Sequence, residues 1–211
     1  MRVRRLRTLV CVLAMLFALA PIRAGCASDA VTQDEASELL DAQSRSEYAL
    51  LIGVDHFVSR ADTYPSSTNN VNAMQEVFQG ALNPFRAIIV PPNPVTTVEQ
   101  LTALVQKTFG AAGKNDVCYL YLSTHGVYDP ASGQEPLLLL SDGQTENGIT
   151  PAQLEAAFDG ILGTKVIILD ACNSGAFIGK GLPSLPQEVH FLGDDFKVLT
   201  SSGALEESWY W

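Results

Sequence analysis

The sequence predicts an α/β domain, a three-layer α/β/α sandwich built around a mostly parallel sheet. Several short segments are apolar throughout instead of alternating with polar residues, which is typical of strands buried on both faces. Segments with apolar residues at helical spacing separate these strands, as expected where helices cover a parallel sheet. The chain has 211 residues, 47% of them hydrophobic, so it is long enough for one well-buried core and too short for two.

The first half of the chain supplies two predicted strands and two predicted helices. The strands are YALLIGV (48–54) and RAIIV (86–90). The segment NNVNAMQEVFQG (69–80) carries apolar residues at helical spacing and ends at a glycine. Thr97 and Gln100 have the spacing of a capping box, so a second helix is expected to begin there. Its apolar stripe consists of Val98, Leu101, Leu104, Val105 and Phe109.

The second half continues the alternation of strands and helices. DVCYLYLSTHG (116–126), KVIILD (165–170) and FKVLTSS (196–202) are predicted strands, and PLLLLSDG (136–143) is predicted as one strand of a hairpin. The segment 150–158 opens with Thr-Pro-Ala-Gln, a capping signal with proline at the first helical position, so it is predicted to form a helix.

The N-terminal residues 1–27 predict a secretory signal peptide. A start with four arginines is followed by an apolar run of 12 residues (9–20) and then by small residues. The run is too short for a membrane span, which takes about 20 apolar residues. Export to a periplasm or to the exterior is therefore expected, and Cys26 after Gly25 also permits a lipid anchor. Residues 28–46 are predicted as a linker and 47–211 as the folded domain.

The charge of the chain restricts its partners. The signal peptide holds five of the 13 basic residues and none of the 23 acidic ones, so eight basic residues face 23 acidic ones in the exported chain, a net charge of −15. Nucleic acid and anionic lipid are disfavoured as main partners by such a charge. A cationic group on a protein or peptide substrate would be attracted to it.

Of the cysteines in the chain, one is not explained by burial in the core or by a disulfide. Cys11 and Cys26 lie in the signal peptide, so only Cys118 and Cys172 remain and no disulfide framework is expected. Cys118 lies inside the apolar run VCYLYL and is predicted to be a core residue. Cys172 instead follows a strand, in a turn of small and polar residues.

Two strands of the predicted sheet end in residues that carry chemistry. His125 ends one strand and Cys172 follows another, and sites in parallel sheets form at the carboxyl ends of strands. A thiol becomes a useful nucleophile when a nearby base favours its thiolate, and histidine is the usual base. The backbone N–H of Gly126, together with that of Cys172, could stabilise the oxyanion of an acyl-transfer intermediate.

The two motifs LYLSTHG and IILDACNSG resemble those of the caspase-like clan of cysteine peptidases, which includes caspases, metacaspases, legumains, clostripain and the gingipains. Their histidine and cysteine are 47 residues apart in this chain, close to the roughly 50 residues of caspases. The form DACNSG is nearer to metacaspases than to caspases. The resemblance extends from about Tyr48 to Ser202.

This resemblance implies roles for three residues and an activity. Cys172 would be the nucleophile, His125 the general base and acid, and Gly126 an oxyanion donor through its backbone. The implied activity is that of a cysteine-type endopeptidase acting on proteins or peptides. The alternative is an inactive caspase-like module that binds a protein or peptide in the same crevice.

Two aspartates are candidates for substrate binding. In metacaspase-like relatives a carboxylate at the position of Asp170 helps to form an acidic pocket for arginine or lysine, and Asp55 is a second candidate for that pocket. The resemblance therefore implies cleavage after basic residues. A competing interpretation makes Asp170 a turn cap whose carboxylate accepts hydrogen bonds from backbone N–H groups.

The remaining expectations concern metals and the end of the chain. Histidine and cysteine are too few for a zinc set, no cofactor is expected, and the acidic pair Asp194 and Asp195 is either a calcium site, as in some metacaspases, or a solvated loop. Relatives continue with another helix and strand, whereas 39 residues follow Cys172, so the domain is expected to lack the last strand and helix. Lys180 is a candidate site of self-cleavage.

Overall fold

The computed structural model describes residues 45–182 and 189–208. The predicted signal peptide, and the linker except for its last two residues, lie outside the described residues. The same is true of the three C-terminal residues 209–211. Within the described part of the chain, no helix is long and apolar enough to cross a membrane.

The described residues include eight strands, which form two sheets. A parallel five-stranded sheet has the order β2-β1-β3-β7-β8, and a small antiparallel sheet has the order β4-β5-β6. The strands are β1 (Glu47–Gly53), β2 (Ala87–Ile89), β3 (Val117–Ser123), β4 (Gly126–Val127), β5 (Leu137–Ser141), β6 (Glu146–Ile149), β7 (Thr164–Asp170) and β8 (Phe196–Thr200).

Helices cover both faces of the parallel sheet. The described part of the chain forms the α-helices α1 (Ser66–Gln79), α2 (Val98–Phe109) and α3 (Pro151–Ala156), and short 3-10 helices span Pro130–Ser132 and Ser174–Ile178. Val71 of α1 packs in one buried cluster with alternate side chains of β1 and β3. Leu101 of α2 and Leu154 of α3 pack in the other cluster, against the remaining side chains of those strands. This arrangement confirms the predicted three-layer α/β sandwich.

The boundaries of the elements differ from prediction where tertiary contacts decide them. The first helix begins at Ser66, three residues earlier than predicted, because a carboxylate from another segment caps it, as described below. The helix predicted over 150–158 ends at Ala156. Strand β6 was not predicted, because it is short and its sequence ENGI is mostly polar. Cys118 is fully buried in the core, as predicted.

Candidate active site

The ends of β3 and β7 bring the two sequence motifs together. The strands are neighbours, with Ser123 paired to Asp170 at their last residues. Past this pair, the N–H of Thr124 donates to the carbonyl of Asp170 over 3.1 Å. His125 and Cys172 each lie two residues beyond the end of their strand, so both belong to the same carboxyl-terminal edge of the sheet.

Gly126 lies in direct contact with the main chain of Cys172. A β-carbon placed on Gly126 would lie 1.7 Å from the carbonyl oxygen of Cys172, so only glycine fits. The N–H of Leu139 donates to the carbonyl of His125, which makes Gly126 and Leu138 a non-hydrogen-bonded pair of the antiparallel ladder. The N–H of Gly126 is therefore not used by its hairpin partner.

The turn after Cys172 explains why small and polar residues follow the cysteine. Asn173 adopts a left-handed conformation with φ of 55°, which asparagine tolerates better than most residues. Ser174 is buried and hydrogen-bonds to the hydroxyl of Ser202. A β-carbon on Gly175 would lie 2.8 Å from the backbone nitrogen of Ala204. The turn therefore packs tightly against the segment that follows β8.

The ring of His125 is held by the loop that follows β1. Its Nε2 lies 2.9 Å from the carbonyl oxygen of Ala61, and its ring contacts that of Phe57 with the centroids 4.5 Å apart. A carbonyl oxygen only accepts hydrogen bonds, so Nε2 must carry the proton. In the neutral ring this leaves Nδ1 as the proton acceptor.

The thiol of Cys172 contacts Ser208. The N–H of Ser208 donates to Sγ over 3.3 Å, and the carbonyl and hydroxyl oxygens of Ser208 each lie 3.6 Å from Sγ. The same segment accepts the N–H of Asn173 at the carbonyl of Glu206. None of the hydrogen bonds between described residues is donated by the N–H of Cys172.

Asp170 lies in a polar cluster on the α1 face of the sheet. Its Oδ2 accepts from the hydroxyl of Tyr121 over 2.7 Å and from the side-chain amide of Asn70 over 3.0 Å. The hydroxyl of Ser123 is a third donor to the same oxygen, at 3.4 Å. All these partners are side chains, so the interpretation of Asp170 as a turn cap bonded by backbone N–H groups is wrong.

Asp55 accepts hydrogen bonds at the start of α1, a role that was not predicted from its position after a strand. Its Oδ1 accepts from the N–H of Ser67 and the hydroxyl of Thr63, and its Oδ2 accepts from the N–H and hydroxyl of Thr68. Ser67 and Thr68 belong to the first turn of α1, where backbone N–H groups lack helical partners. Both carboxylate oxygens therefore cap α1, and the role of Asp55 in a substrate pocket remains a prediction.

The loop that carries Ala61 is anchored by two further carboxylates. Glu146 accepts from the N–H groups of Val58 and Ser59 and from the Ser59 hydroxyl, and Asp62 accepts from the N–H of Phe57. Burial raises the pKa of Glu146, but these hydrogen bonds and the charge of Arg60 outweigh it, so the pKa lies below its ordinary value. These anchors fix the carbonyl that orients His125.

One member of the acidic pair predicted as a candidate calcium site forms an ion pair with a lysine. The carboxylate of Asp195 forms an ion pair with the buried Lys165, which lowers the pKa of Asp195 through a hydrogen bond. Among the described residues, no group of three or more histidine, cysteine, aspartate or glutamate side chains is close enough to hold a metal ion. The calcium expectation remains a prediction.

A cavity between described residues lies beside the candidate site. It has a volume of about 360 Å³, and its walls include Tyr128 after β4 and Phe177 in the turn after Cys172. Neither His125 nor Cys172 lines it. His190 also lines this cavity, and its Nδ1 lies 2.9 Å from Glu155.

The family of the chain follows from comparison with known proteins. A family model described as the caspase domain matches residues 46–208. The chain belongs to the caspase family. The matched residues of this caspase domain include every strand, both sequence motifs and the Ser208 that contacts Cys172.

Two further comparisons add little to the family assignment. The caspase domain has no match among curated proteins. The crystal structure of protein GSU0716 from Geobacter sulfurreducens is similar at 21% sequence identity and a TM-score of 0.46, and the match covers 62% of this chain and 51% of that one. The match thus spans about half the length of that structure's chain.

Sequence reasoning missed the groups that hold the side chains of His125 and Asp170. The carbonyl of Ala61 orients His125, but any residue carries a carbonyl, so the sequence holds no signal for it. Tyr121 and Asn70 were missed as partners of Asp170 for a related reason. They lie on a core strand and on a helix, where their types fit an ordinary amphipathic pattern.

Proposed function

We propose that the chain is an exported cysteine endopeptidase that cleaves peptide bonds after lysine or arginine. The observation that carries this proposal is the contact between Gly126 and the main chain of Cys172, which joins the histidine and cysteine motifs at one edge of the sheet. The family assignment supports peptidase chemistry, and the proton on Nε2 of His125 leaves Nδ1 to act as the base.

The proposed reaction begins with proton transfer from the thiol of Cys172 to Nδ1 of His125. The thiolate attacks the carbonyl carbon of the scissile bond, and the N–H groups of Gly126 and Cys172 donate to the resulting oxyanion. When the intermediate collapses, the C–N bond breaks and the imidazolium of His125 protonates the leaving amine. A thioester to Cys172 and the free amine fragment are the products of this half-reaction.

Hydrolysis of the thioester completes the proposed cycle. A water molecule gives a proton to Nδ1 of His125 as its oxygen attacks the thioester carbonyl, and the same two N–H groups stabilise the second oxyanion. The C–S bond then breaks, and the thiolate of Cys172 takes the proton back from His125. Every step uses groups of this chain and water.

A basic residue before the scissile bond is favoured by the charge near Cys172. Asp170 is a half-buried carboxylate two residues before the nucleophile, on a strand end beside the histidine motif. The whole chain carries a formal net charge of −10, which attracts cationic substrates. Asp55 contributes negative charge to this region while its oxygens cap α1.

Peptide substrates with one varied residue test the proposal. Matched peptides carrying Lys, Arg, Asn or Asp before the cleaved bond are incubated with the full chain and with its Cys172→Ala and His125→Ala variants. We expect cleavage of the Lys and Arg peptides by the wild type and of none by either variant. Cleavage of the Asp peptide alone would overturn the basic specificity.

Covalent labelling separates the peptidase from a binding module of the same fold. Peptides bearing Lys or Arg next to a thiol-reactive group should label Cys172, and mass spectrometry of the digested protein locates the label. Absence of both cleavage and labelling would favour the non-catalytic module.

Export is proposed from residues 1–27, which lie outside the described residues. The mature N-terminus of the protein, sequenced after expression with its own leader in a bacterial host, tests the proposal. We expect it within a few residues of position 27, or at a lipid-modified Cys26. A protein that keeps Met1 in the cytoplasmic fraction would contradict export.

A further inference from the structure

We propose that Asp170 selects lysine over arginine before the scissile bond, and that Tyr121 and Asn70 are the positioning residues that impose this choice. The inference rests on the proposed peptidase function and deepens it by naming the substrate side chain. Its basis is the unequal use of the two oxygens of the Asp170 carboxylate.

All hydrogen bonds from described residues to the Asp170 carboxylate are accepted by the same oxygen. Oδ2 accepts from Tyr121 at 2.7 Å, from Asn70 at 3.0 Å and from Ser123 at 3.4 Å. None of the described residues donates to Oδ1. A carboxylate oxygen has about two lone pairs, so three donors already exceed what Oδ2 can accept with good geometry. Oδ1 is the oxygen left for a substrate.

Arginine and lysine differ in what they need from a carboxylate. The guanidinium group is a planar fork that bonds best when both oxygens accept in parallel. The ammonium group of lysine is a compact charge that is well bound by a single oxygen. An arginine at this site would have to displace the Tyr121 hydroxyl or bind through one nitrogen only. The site therefore fits lysine better.

The two main donors are fixed by the fold, so the carboxylate cannot easily turn. Tyr121 is only 4% exposed and packs in the buried cluster on the α1 face of the sheet. Asn70 lies on α1, next to Val71 of the same cluster. Asp55 does not supply a second acceptor, because both of its oxygens already cap α1.

The ratio of kcat/KM for two matched peptides, identical except for Lys or Arg before the bond, tests the inference. We expect the wild type to favour Lys by about tenfold, the lower end for one hydrogen bond to a charged group. Tyr121→Phe removes the shortest bond to Oδ2, so the ratio should shift toward Arg by about fivefold, chiefly through the KM of the Arg peptide. Asn70→Ala should shift it in the same direction.

Tyr119→Phe is the matched control. Tyr119 lies on the same face of β3, two residues earlier, and its ring packs against Phe78 and Phe85 without a recorded contact to Asp170. We expect the wild-type ratio for this variant. If Tyr121→Phe does not fold, the Lys-to-Arg ratios of the wild type and of the Asn70→Ala variant test the inference.

The outcomes distinguish this inference from the proposed function. A wild type that cleaves the Arg peptide as well as or better than the Lys peptide overturns the lysine preference and leaves the peptidase proposal intact. Equal losses on both peptides in Tyr121→Phe would assign Tyr121 a merely structural role and overturn the positioning. No cleavage of either peptide overturns the proposed function and this inference with it.

Discussion

The α-carbon of Gly126 lies against the carbonyl group of Cys172, so closely that no side chain fits between them. This contact couples the hairpin after His125 to the turn that presents the thiol. Any residue larger than glycine at position 126 must push the two motifs apart.

Gly126→Ala is therefore expected to abolish peptidase activity and to lower the free energy of unfolding by about 3 kcal/mol, the upper range for overpacking. Gly113→Ala is the matched control, because a β-carbon there would make only an ordinary contact of 3.6 Å with Asp116. Thermal unfolding and cleavage of the Lys peptide are measured in both. Wild-type activity in Gly126→Ala would contradict the contact.

Asp55→Ala is expected to act on stability and not on substrate selection. Loss of the α1 cap should cost about 2 kcal/mol, which lowers Tm by about 4–8 °C in a domain of this size. The ratio of Lys to Arg cleavage should stay at the wild-type value. Asp159→Ala, on an exposed side chain, serves as control. A raised KM for the Lys peptide with an unchanged Tm would contradict the capping role and indicate that Asp55 binds the substrate.

Most of the fold could be predicted from the sequence, and individual elements show the physical reason. Strands such as β3 are buried on both faces, so their apolar runs are unambiguous, and the Thr150 capping box forms as predicted. Strand β6 was not predicted, because most of its residues are polar and it forms only by pairing with β5. Because Asp55 follows the first strand, the sequence predicted it near the site at the carboxyl-terminal edge of the sheet. The sequence could not show that its carboxylate accepts from the start of α1, because this depends on how the chain folds between the two segments.

Glu146→Gln is expected to weaken the anchoring of the loop that holds Ala61. Glutamate in the unfolded chain titrates near pH 4.3, and the pKa of Glu146 in the folded protein is lower. Ionised Glu146 thus stabilises the fold above about pH 4.3, and this stabilisation is lost as the pH falls through the lowered pKa. We expect a Tm gap of about 2–4 °C between wild type and variant at neutral pH.

The pH dependence of that gap is the decisive measurement. It should be constant at neutral pH and should narrow below about pH 4.3. Glu76→Gln, at an exposed position of α1, is the control and should leave the Tm at neutral pH close to that of the wild type. A Glu146→Gln gap that persists undiminished at pH 3 would contradict the assigned anchoring.

Thiol alkylation should distinguish the two cysteines of the domain. Burial raises the pKa of Cys118 to about 12, and its side chain is fully buried, so it should resist iodoacetamide at pH 8. Cys172 is half-buried and should be alkylated in the folded protein. Peptide mapping before and after denaturation checks this, with both cysteines labelled in the unfolded chain. Equal labelling of Cys118 in the folded protein would refute the buried placement.

The partner of His125 is a main-chain carbonyl, and this has a consequence for mutational tolerance. Replacing the side chain of Ala61 leaves the acceptor in place, so an alanine or saturation scan would class position 61 as dispensable. Sensitivity should appear instead at the anchors of the loop, Glu146 and Asp62, which accept from backbone N–H groups of the loop and not from the ring of His125. A mutational scan would thus identify the residues that anchor the loop and would not identify Ala61, whose carbonyl contacts the histidine.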